Sequence, residues 1–384
     1  RSGSEKDRSI TQIDMHNGID ELGLIKFDIL GNGSLSVLRD TLQQLKEQSF
    51  PNPDISDLQK CYHDDVVRNM IKMGRTKGIF YIESPAQTRL NAKVQVETFE
   101  ELAITSSLVR PAGTAYCALF VERHRKMKKG IRDWDFLHPS LEPILKDTYD
   151  VCAFQEDVTK ICHQVAGLSY EKADRIRKTM NSLHEGEVPP DEWKKISREF
   201  MEGCRIHGGF SREQAEELWE RVSSFVGFSF CKSHSASYAQ LSYKCSYLKA
   251  YYPAQFLAAL ISNNHGFYSR EAYLNEARRW GVRILPISIN KSREKYWGKH
   301  SWIRPGLMHI RGLSQKGRAR IVIQRQDGPY KNLEDFVSRV EINKSEIEKL
   351  IFVGAFDGFG LTQPELFYFL DGMYSKKSSY VEQH

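Results

Sequence analysis

The sequence predicts a mainly α-helical protein with minor β structure, and three patterns carry that expectation. Apolar residues recur at helical spacing through most of the middle of the chain. Strand-like alternation is confined to short stretches, and a glycine-bearing turn between apolar segments occurs twice near the C-terminal end. With 384 residues, 40% hydrophobic and 27% charged, the chain can bury a large core in two or three domains. No apolar run approaches about 18 residues and no signal-peptide pattern occurs, which argues against secretion and membrane spanning. The chain begins Arg1-Ser2-Gly3 without an initiator methionine, and the expectation is a piece of a longer protein.

Taken in order, Ile25-Lys26-Phe27-Asp28-Ile29 alternates as a strand, with Ile25, Phe27 and Ile29 on one face and Lys26 and Asp28 on the other. Gly31-Asn32-Gly33-Ser34 turns into a helix with Leu35, Leu38, Leu42 and Leu45 on one stripe. The spacing predicts a helix over 155–166 that stops at Gly167, and Ser169 can cap another through Met180. Asn181 to Pro190 reads as a loop. Ser211 and Gln214 form a capping-box pair ahead of a helix over 211–226, and two more helices follow near 236–251 and from Pro253 to Ser262. Tyr268 to Gly281 is helical by pattern, and Val282 to Pro286 reads as a short strand or extended link. Gly306 to Ser314, leading into Arg318-Ala319-Arg320-Ile321-Val322, has the form of a helix-hairpin-helix, with a second half at Glu346–Phe352 and Gly354–Asp357.

The net charge is +6, and its clustering matters more than its total. One cluster is Arg123-His124-Arg125-Lys126-Met127-Lys128-Lys129, which by itself reads as a solvated loop. The other runs through Arg311, Lys316, Arg318, Arg320 and Arg325 inside the glycine-turn motif, where a polyanion is the expected partner. Seven cysteines show no C-x-x-C spacing, so reduced thiols, mostly core residues, are expected rather than zinc ligands or disulfides.

Two stretches carry groups suited to phosphoryl transfer. Asp28 can contribute to a divalent metal site and Lys26 can meet triphosphate charge, although one carboxylate is not a metal centre. Phe228 to Ala239 joins two apolar helices with an aromatic ring, Lys232, Ser233, His234 and further hydroxyls, the groups a nucleotide site uses. The plainer alternative is an interhelical loop whose Ser235 caps the next helix. Arg177 and Lys178 stand near a helix end, where they can equally be solvated cations. Asp133-Trp134-Asp135 lies in a charged loop.

Leu24 to Gly31 resembles the strand bearing the third catalytic aspartate in the bacterial DNA polymerase III alpha subunits, the C family of DNA polymerases. Gly78–Pro85, Leu108–Pro111, His138-Pro139 with Tyr149, Phe154–Val158, Ala173–Met180 and Phe228–Ala239 are similar to successive finger segments of that family, in the family's order. Phe80-Tyr81-Ile82-Glu83-Ser84-Pro85 and Phe230–Ser235 lean toward its error-prone-like branch. The resemblance implies a palm edge at 1–33, a fingers domain at 34–298, a helix-hairpin-helix module at 299–360 and the start of a following segment at 361–384.

It further implies that Lys26, Arg177, Lys178, Phe228, Lys232, Ser233 and His234 bind an incoming deoxynucleoside triphosphate. Asp28 would be catalytic and hold Mg2+, while Arg311, Gly312, Lys316, Arg318 and Arg320 meet primer-template DNA. Lys178 stands where the family has a second arginine, Phe228 where the replicative branch has tyrosine, and Cys231 where it has asparagine. The family's upstream Asp-x-Asp pair has no counterpart in the residues before Asp28, so catalysis by this chain alone is not expected. Gln363-Pro364-Glu365-Leu366-Phe367 matches a sliding-clamp docking pattern, but Thr362 and Glu365 also make a capping box there. Replisome or mutasome subunits are further implied partners, in a bacterial cytoplasm near the nucleoid. Two rival readings are a non-catalytic DNA-binding scaffold and a metal nuclease built on Asp28 or on Asp133 and Asp135.

Overall fold

The computed structural model describes Ile13 and residues 18–25, 31–51, 53–109, 114–183, 190–226, 231–264 and 266–381. The strand expected around Lys26 and Asp28 lies outside the described residues. Helices dominate, joined by one small sheet in which Arg283–Ile284 runs parallel to Trp302–Arg304, itself antiparallel to Trp297–Lys299.

Three hydrophobic cores organise the described residues. The first surrounds the Lys232–Tyr251 helix, which packs on Phe99–Leu108, Asp65–Lys72 and Leu58–His63. The adjacent Pro253–Asn263 helix is buried along nearly its whole length and supports Gly33–Glu47. Asn32 caps that last helix by accepting the Ser34 N–H at 3.0 Å. Most of the expected leucine stripe is inward, with Leu38 and Leu45 buried and Leu42 packed against the core, but Leu35 is 57% exposed and Val37, Thr41 and Gln44 are buried beside them. Polar partners explain the widened face. Gln44 accepts the Gly298 N–H at 2.8 Å, and Asp40 takes hydrogen bonds from Asn263 at 3.0 Å and Lys295 at 2.7 Å. Inward polar groups with partners in place cost little, so the face that satisfies them is the one buried.

Two buried ionic groups fix the loop over residues 74–84 against this core. Glu83 accepts the Gly78 and Phe267 N–H groups and the Tyr273 hydroxyl, at 2.8, 2.7 and 2.8 Å. Lys249, fully buried, donates to the carbonyls of Arg75 and Lys77 and to Glu276 at 3.2, 2.7 and 2.8 Å. Burial lowers its pKa, opposed by the Glu276 carboxylate.

The second core, from Leu141 to Val222, holds Gln155–Lys160, Tyr170–Leu183, Pro190–Ile206 and Arg212–Val226. The Ser211–Gln214 capping box forms as expected, at 2.9 and 3.2 Å. The helix over 155–166 has an unexpected feature, a π turn at Ile161–Val165. Gly203 packs so closely there that a Cβ would stand 2.1 Å from the Ala166 carbonyl oxygen.

The third core, from Ile289 to Leu370, contains both hairpins. Gly312 takes φ +88° and Ser314 caps Gln315–Gln324 through the Gly317 N–H at 3.0 Å. Glu346, on Lys344–Phe352, accepts the N–H groups of Ser314 and Asn343 at 2.8 and 3.1 Å, tying the two halves together. The boundary expected between 298 and 299 falls inside the Trp297–Arg304 hairpin. Ile303 there belongs to the first core, while Ile289 upstream of it belongs to the third, so the units interleave rather than meet at a linker.

Candidate nucleotide and nucleic-acid interface

The Lys232–Tyr251 helix begins four residues before the sequence pattern predicts, and Ser235 is not its cap. Ser235 lies in the first turn, fully buried, with its hydroxyl 2.7 Å from that of Ser107. Cys231 occupies the N-cap position without a side-chain cap bond. The missing acceptor arrives from a distant segment: Glu156 accepts the Lys232 N–H at 2.9 Å and the Cys231 thiol at 3.2 Å. That contact starts the helix early and sets Lys232, Ser233 and His234 on its exposed first turn.

The Lys232 ammonium lies 5.5 Å from the centre of the Phe154 ring and lines a cavity of about 650 Å³ with Phe99, Tyr149, Asp157 and Lys160. Ser233 pairs with the Cys231 thiol at 2.8 Å, and the His234 ring sits 4.0 Å from that of Tyr238 and 6.5 Å from that of Tyr81, centre to centre. Arg177, from the second core, donates to Asp174 at 2.9 and 2.8 Å and to Gln155 at 3.3 Å. Arg177 and Lys232 therefore meet on one short segment, 154–157. Lys178 follows on the same helix as Arg177 with its side chain outside the described set, and Lys26, Asp28 and Phe228 lie outside the described residues.

The segment itself is tightly held. The Asp157 carboxylate accepts the Ala153 and Phe154 N–H groups, both at 2.9 Å. Burial pushes its pKa up to about 6, against those hydrogen bonds and the charges of Lys160 and Lys232. Gln155 and Glu156 were not among the expected site residues. Phe154–Val158 is similar to a family segment, and the usable signal is a second acidic residue beside Asp157, which alone completes the local cap.

The other basic run is arranged differently. Arg123 to Lys128 ends the Thr114–Lys128 helix and is no loop. Arg123 donates to the Tyr149 carbonyl at 2.7 Å and meets buried Asp150 at 3.3 Å; Arg125 donates to the Lys93 carbonyl at 3.2 and 3.1 Å. Lys126 pairs with Glu122 at 2.7 Å and Asp133 at 2.9 Å, and Lys128 with Glu97 at 3.2 Å. Asp133 is thus one arm of an ion pair. Among the described residues no group of three His, Cys, Asp or Glu side chains is placed to hold a metal.

At the first hairpin, Arg311 and Lys316 are exposed beside Gly312. Arg318 instead donates to the Met308 carbonyl at 3.2 Å, and Arg320 to that of Glu341, so both brace their own module. His309 nearby is held neutral, its pKa lowered to about 4 by burial and the charges of Arg270 and Arg318. The clamp-like pattern is part of a helix, Gln363–Val381, capped by Thr362 and Glu365. Leu366 is 1% exposed and sits in the third core, which leaves it unable to dock elsewhere without unfolding the helix start.

A helical fingers-type unit carrying convergent cations, followed by a double hairpin module, defines the class. Residues 34–208 match the bacterial DNA polymerase III alpha subunit finger domain, and residues 281–366 match the helix-hairpin-helix motif. The DNA polymerase III subunit alpha of Campylobacter jejuni is 34% identical over 360 residues, 91% of this chain and 29% of that protein. The protein of the same name from Staphylococcus epidermidis is 32% identical over 369 residues, 95% of this chain and 33% of that protein. That from Staphylococcus aureus is 31% identical over 357 residues, 92% of this chain and 32% of that protein. The chain belongs to the bacterial DNA polymerase III alpha-subunit family, and it spans about a third of the length of these relatives.

Proposed function

We propose that this chain supplies the nucleotide-grasping and duplex-gripping parts of a DNA-directed DNA polymerase. The observation that supports it most is the meeting of Arg177 and Lys232, from separate cores, on the segment 154–157 beside exposed Ser233 and His234. Cations held in place before the substrate arrives give their attraction to a triphosphate without a cost of reorganisation. In this reading Arg177, Lys178 and Lys232 take phosphate oxygens, Ser233 and His234 add hydrogen bonds, Phe228 faces the sugar or base, and Lys26 joins from the palm edge. Mg2+, where bound, would be held in part by Asp28 and would neutralise charge on the triphosphate.

The primer 3′-hydroxyl then displaces pyrophosphate from the α-phosphate, and these residues position the groups and stabilise the charge. The hairpins meet duplex phosphates through Arg311, Lys316 and the backbone at Gly312, without reading sequence. The division into palm edge, fingers and hairpin module at 33, 298 and 360, with the last two units interleaved over 289–304, and a cytoplasmic, nucleoid-associated setting belong to the same proposal. So does the error-prone-like placement suggested by 80–85 and 230–235.

The test is thermal stabilisation by a deoxynucleoside triphosphate at ~1 mM, expected in the unsubstituted chain and lost in Lys232→Ala and Arg177→Ala. A melting curve indifferent to nucleotide contradicts the proposal. It would favour the second reading, a DNA-binding scaffold, for which exposed Arg311 and Lys316 already provide a surface. That reading expects salt-sensitive duplex binding without nucleotide dependence.

A further inference from the structure

The chain crosses between its first two cores over very few residues. Cys152 is buried in the second core, Ala153 and Phe154 in the first, and Val158 in the second again. Two side chains at this crossing reach outward to the two arms that carry the phosphate-facing cations. Gln155 accepts from Arg177 at 3.3 Å, and Glu156 accepts the first N–H of the Lys232 helix at 2.9 Å. The crossing cannot drift, because Asp157 holds the Ala153 and Phe154 N–H groups from within the same turn and is itself buried.

We infer that Gln155 and Glu156 are positioning residues that hold Arg177 and Lys232 at a set separation for the triphosphate, without touching the nucleotide themselves. The inference rests on the nucleotide reading above and goes beyond it by assigning residues that bind neither phosphate nor sugar. Three features argue for it. The cap position of the Lys232 helix is a cysteine, a weak acceptor, so the helix start depends on a carboxylate from another element. The same carboxylate occupies the end of the helix where an anion would otherwise settle. A triphosphate is therefore left to the side chains of Arg177 and Lys232 rather than to the Lys232 N–H. Finally, adjacent residues serve adjacent arms, so a shift of either arm is transmitted to the other through one rigid turn.

The experiment is equilibrium titration of the whole chain with a deoxynucleoside triphosphate, with duplex binding and melting temperature measured on every variant. Glu156→Ala is expected to weaken nucleotide binding roughly fivefold, the effect of a lost N-cap. Glu156→Gln keeps an acceptor oxygen and removes a negative charge, so it should bind at least as tightly as the unsubstituted chain. Gln155→Ala should weaken binding about threefold, and the same change in an Arg177→Ala background should add nothing. Duplex binding through the hairpins should stay constant throughout.

Should Glu156→Ala melt early, Gln155→Ala measured against the unsubstituted chain decides alone. Nucleotide affinity equal to that of the unsubstituted chain in both Glu156→Ala and Gln155→Ala overturns the inference and leaves the nucleotide reading standing. Parallel losses of nucleotide and duplex binding also overturn it, since they indicate general damage. An unsubstituted chain that binds no nucleotide removes both.

Discussion

The end of the Thr114–Lys128 helix and the start of the Lys232–Tyr251 helix are both rich in basic and imidazole groups, and they differ in what lies within reach. Around the first stand the carbonyls of Lys93 and Tyr149 and the carboxylates of Glu97, Glu122, Asp133 and Asp150, and the basic side chains are taken up by them. Around the second, the Glu156 carboxylate is turned to the backbone N–H and a thiol and that of Asp157 to two backbone N–H groups, leaving the Lys232 ammonium over a ring and beside a cavity. The lesson is that a basic run signals a polyanion site only where neighbouring acceptors are absent or engaged elsewhere. The first helix end holds a fold together, and the second is where the proposed nucleotide site lies.

The largest effect is expected where the first region is most dependent on its charge. Asp150, with no side-chain exposure, meets Arg123 at 3.3 Å and Arg221 at 2.9 Å. Asp150→Ala leaves two guanidinium groups short of a partner and should lower stability by about 3 kcal/mol in urea unfolding. Stability unchanged in that variant would break the comparison at its structural side.

The second effect concerns the other region and is pH-dependent. The Asp157 carboxyl, raised to about 6 by burial, keeps its proton in the folded chain where the unfolded chain has lost it. The stability it contributes is fully present below about pH 4 and declines as pH rises through about 6, by up to about 3 kcal/mol. Asp157→Asn cannot ionise, so the difference between the two unfolding curves should open across that window and stay constant above it. A difference that does not vary with pH would contradict the assignment.

A smaller effect separates the hairpin cations. Arg311→Ala and Lys316→Ala should each reduce the salt slope of duplex binding by roughly 1 and leave stability within about 0.5 kcal/mol. Arg318→Ala and Arg320→Ala, whose donors face Met308 and Glu341, should show the reverse pattern. Equal salt slopes for all four would erase the distinction between bracing and binding cations.

Local pattern made much of the fold legible. Helical spacing with a cap at Ser211 or Ser169 marks the second core's helices, because the information lies within a few residues of each end. What escaped depends on distant partners. The start at Lys232 needs Glu156, 76 residues away in sequence, and the inward face at 37–45 answers to Gly298, Asn263 and Lys295. Of the expected site, Arg177 lies mid-way along Tyr170–Leu183 and Lys232 in the first turn of Lys232–Tyr251, and nothing in either segment tells that they meet on one turn. Leu366 shows the opposite case, a residue whose motif suggests docking and whose burial assigns it to the core.

Triphosphate titration of Lys232→Ala beside Arg125→Ala tests the central contrast most directly. The account predicts that Lys232→Ala loses nucleotide binding at unchanged stability, while Arg125→Ala, which gives up only carbonyl bonds to Lys93, binds as the unsubstituted chain does. Equal affinities in the two variants, or a loss confined to Arg125→Ala, would contradict it.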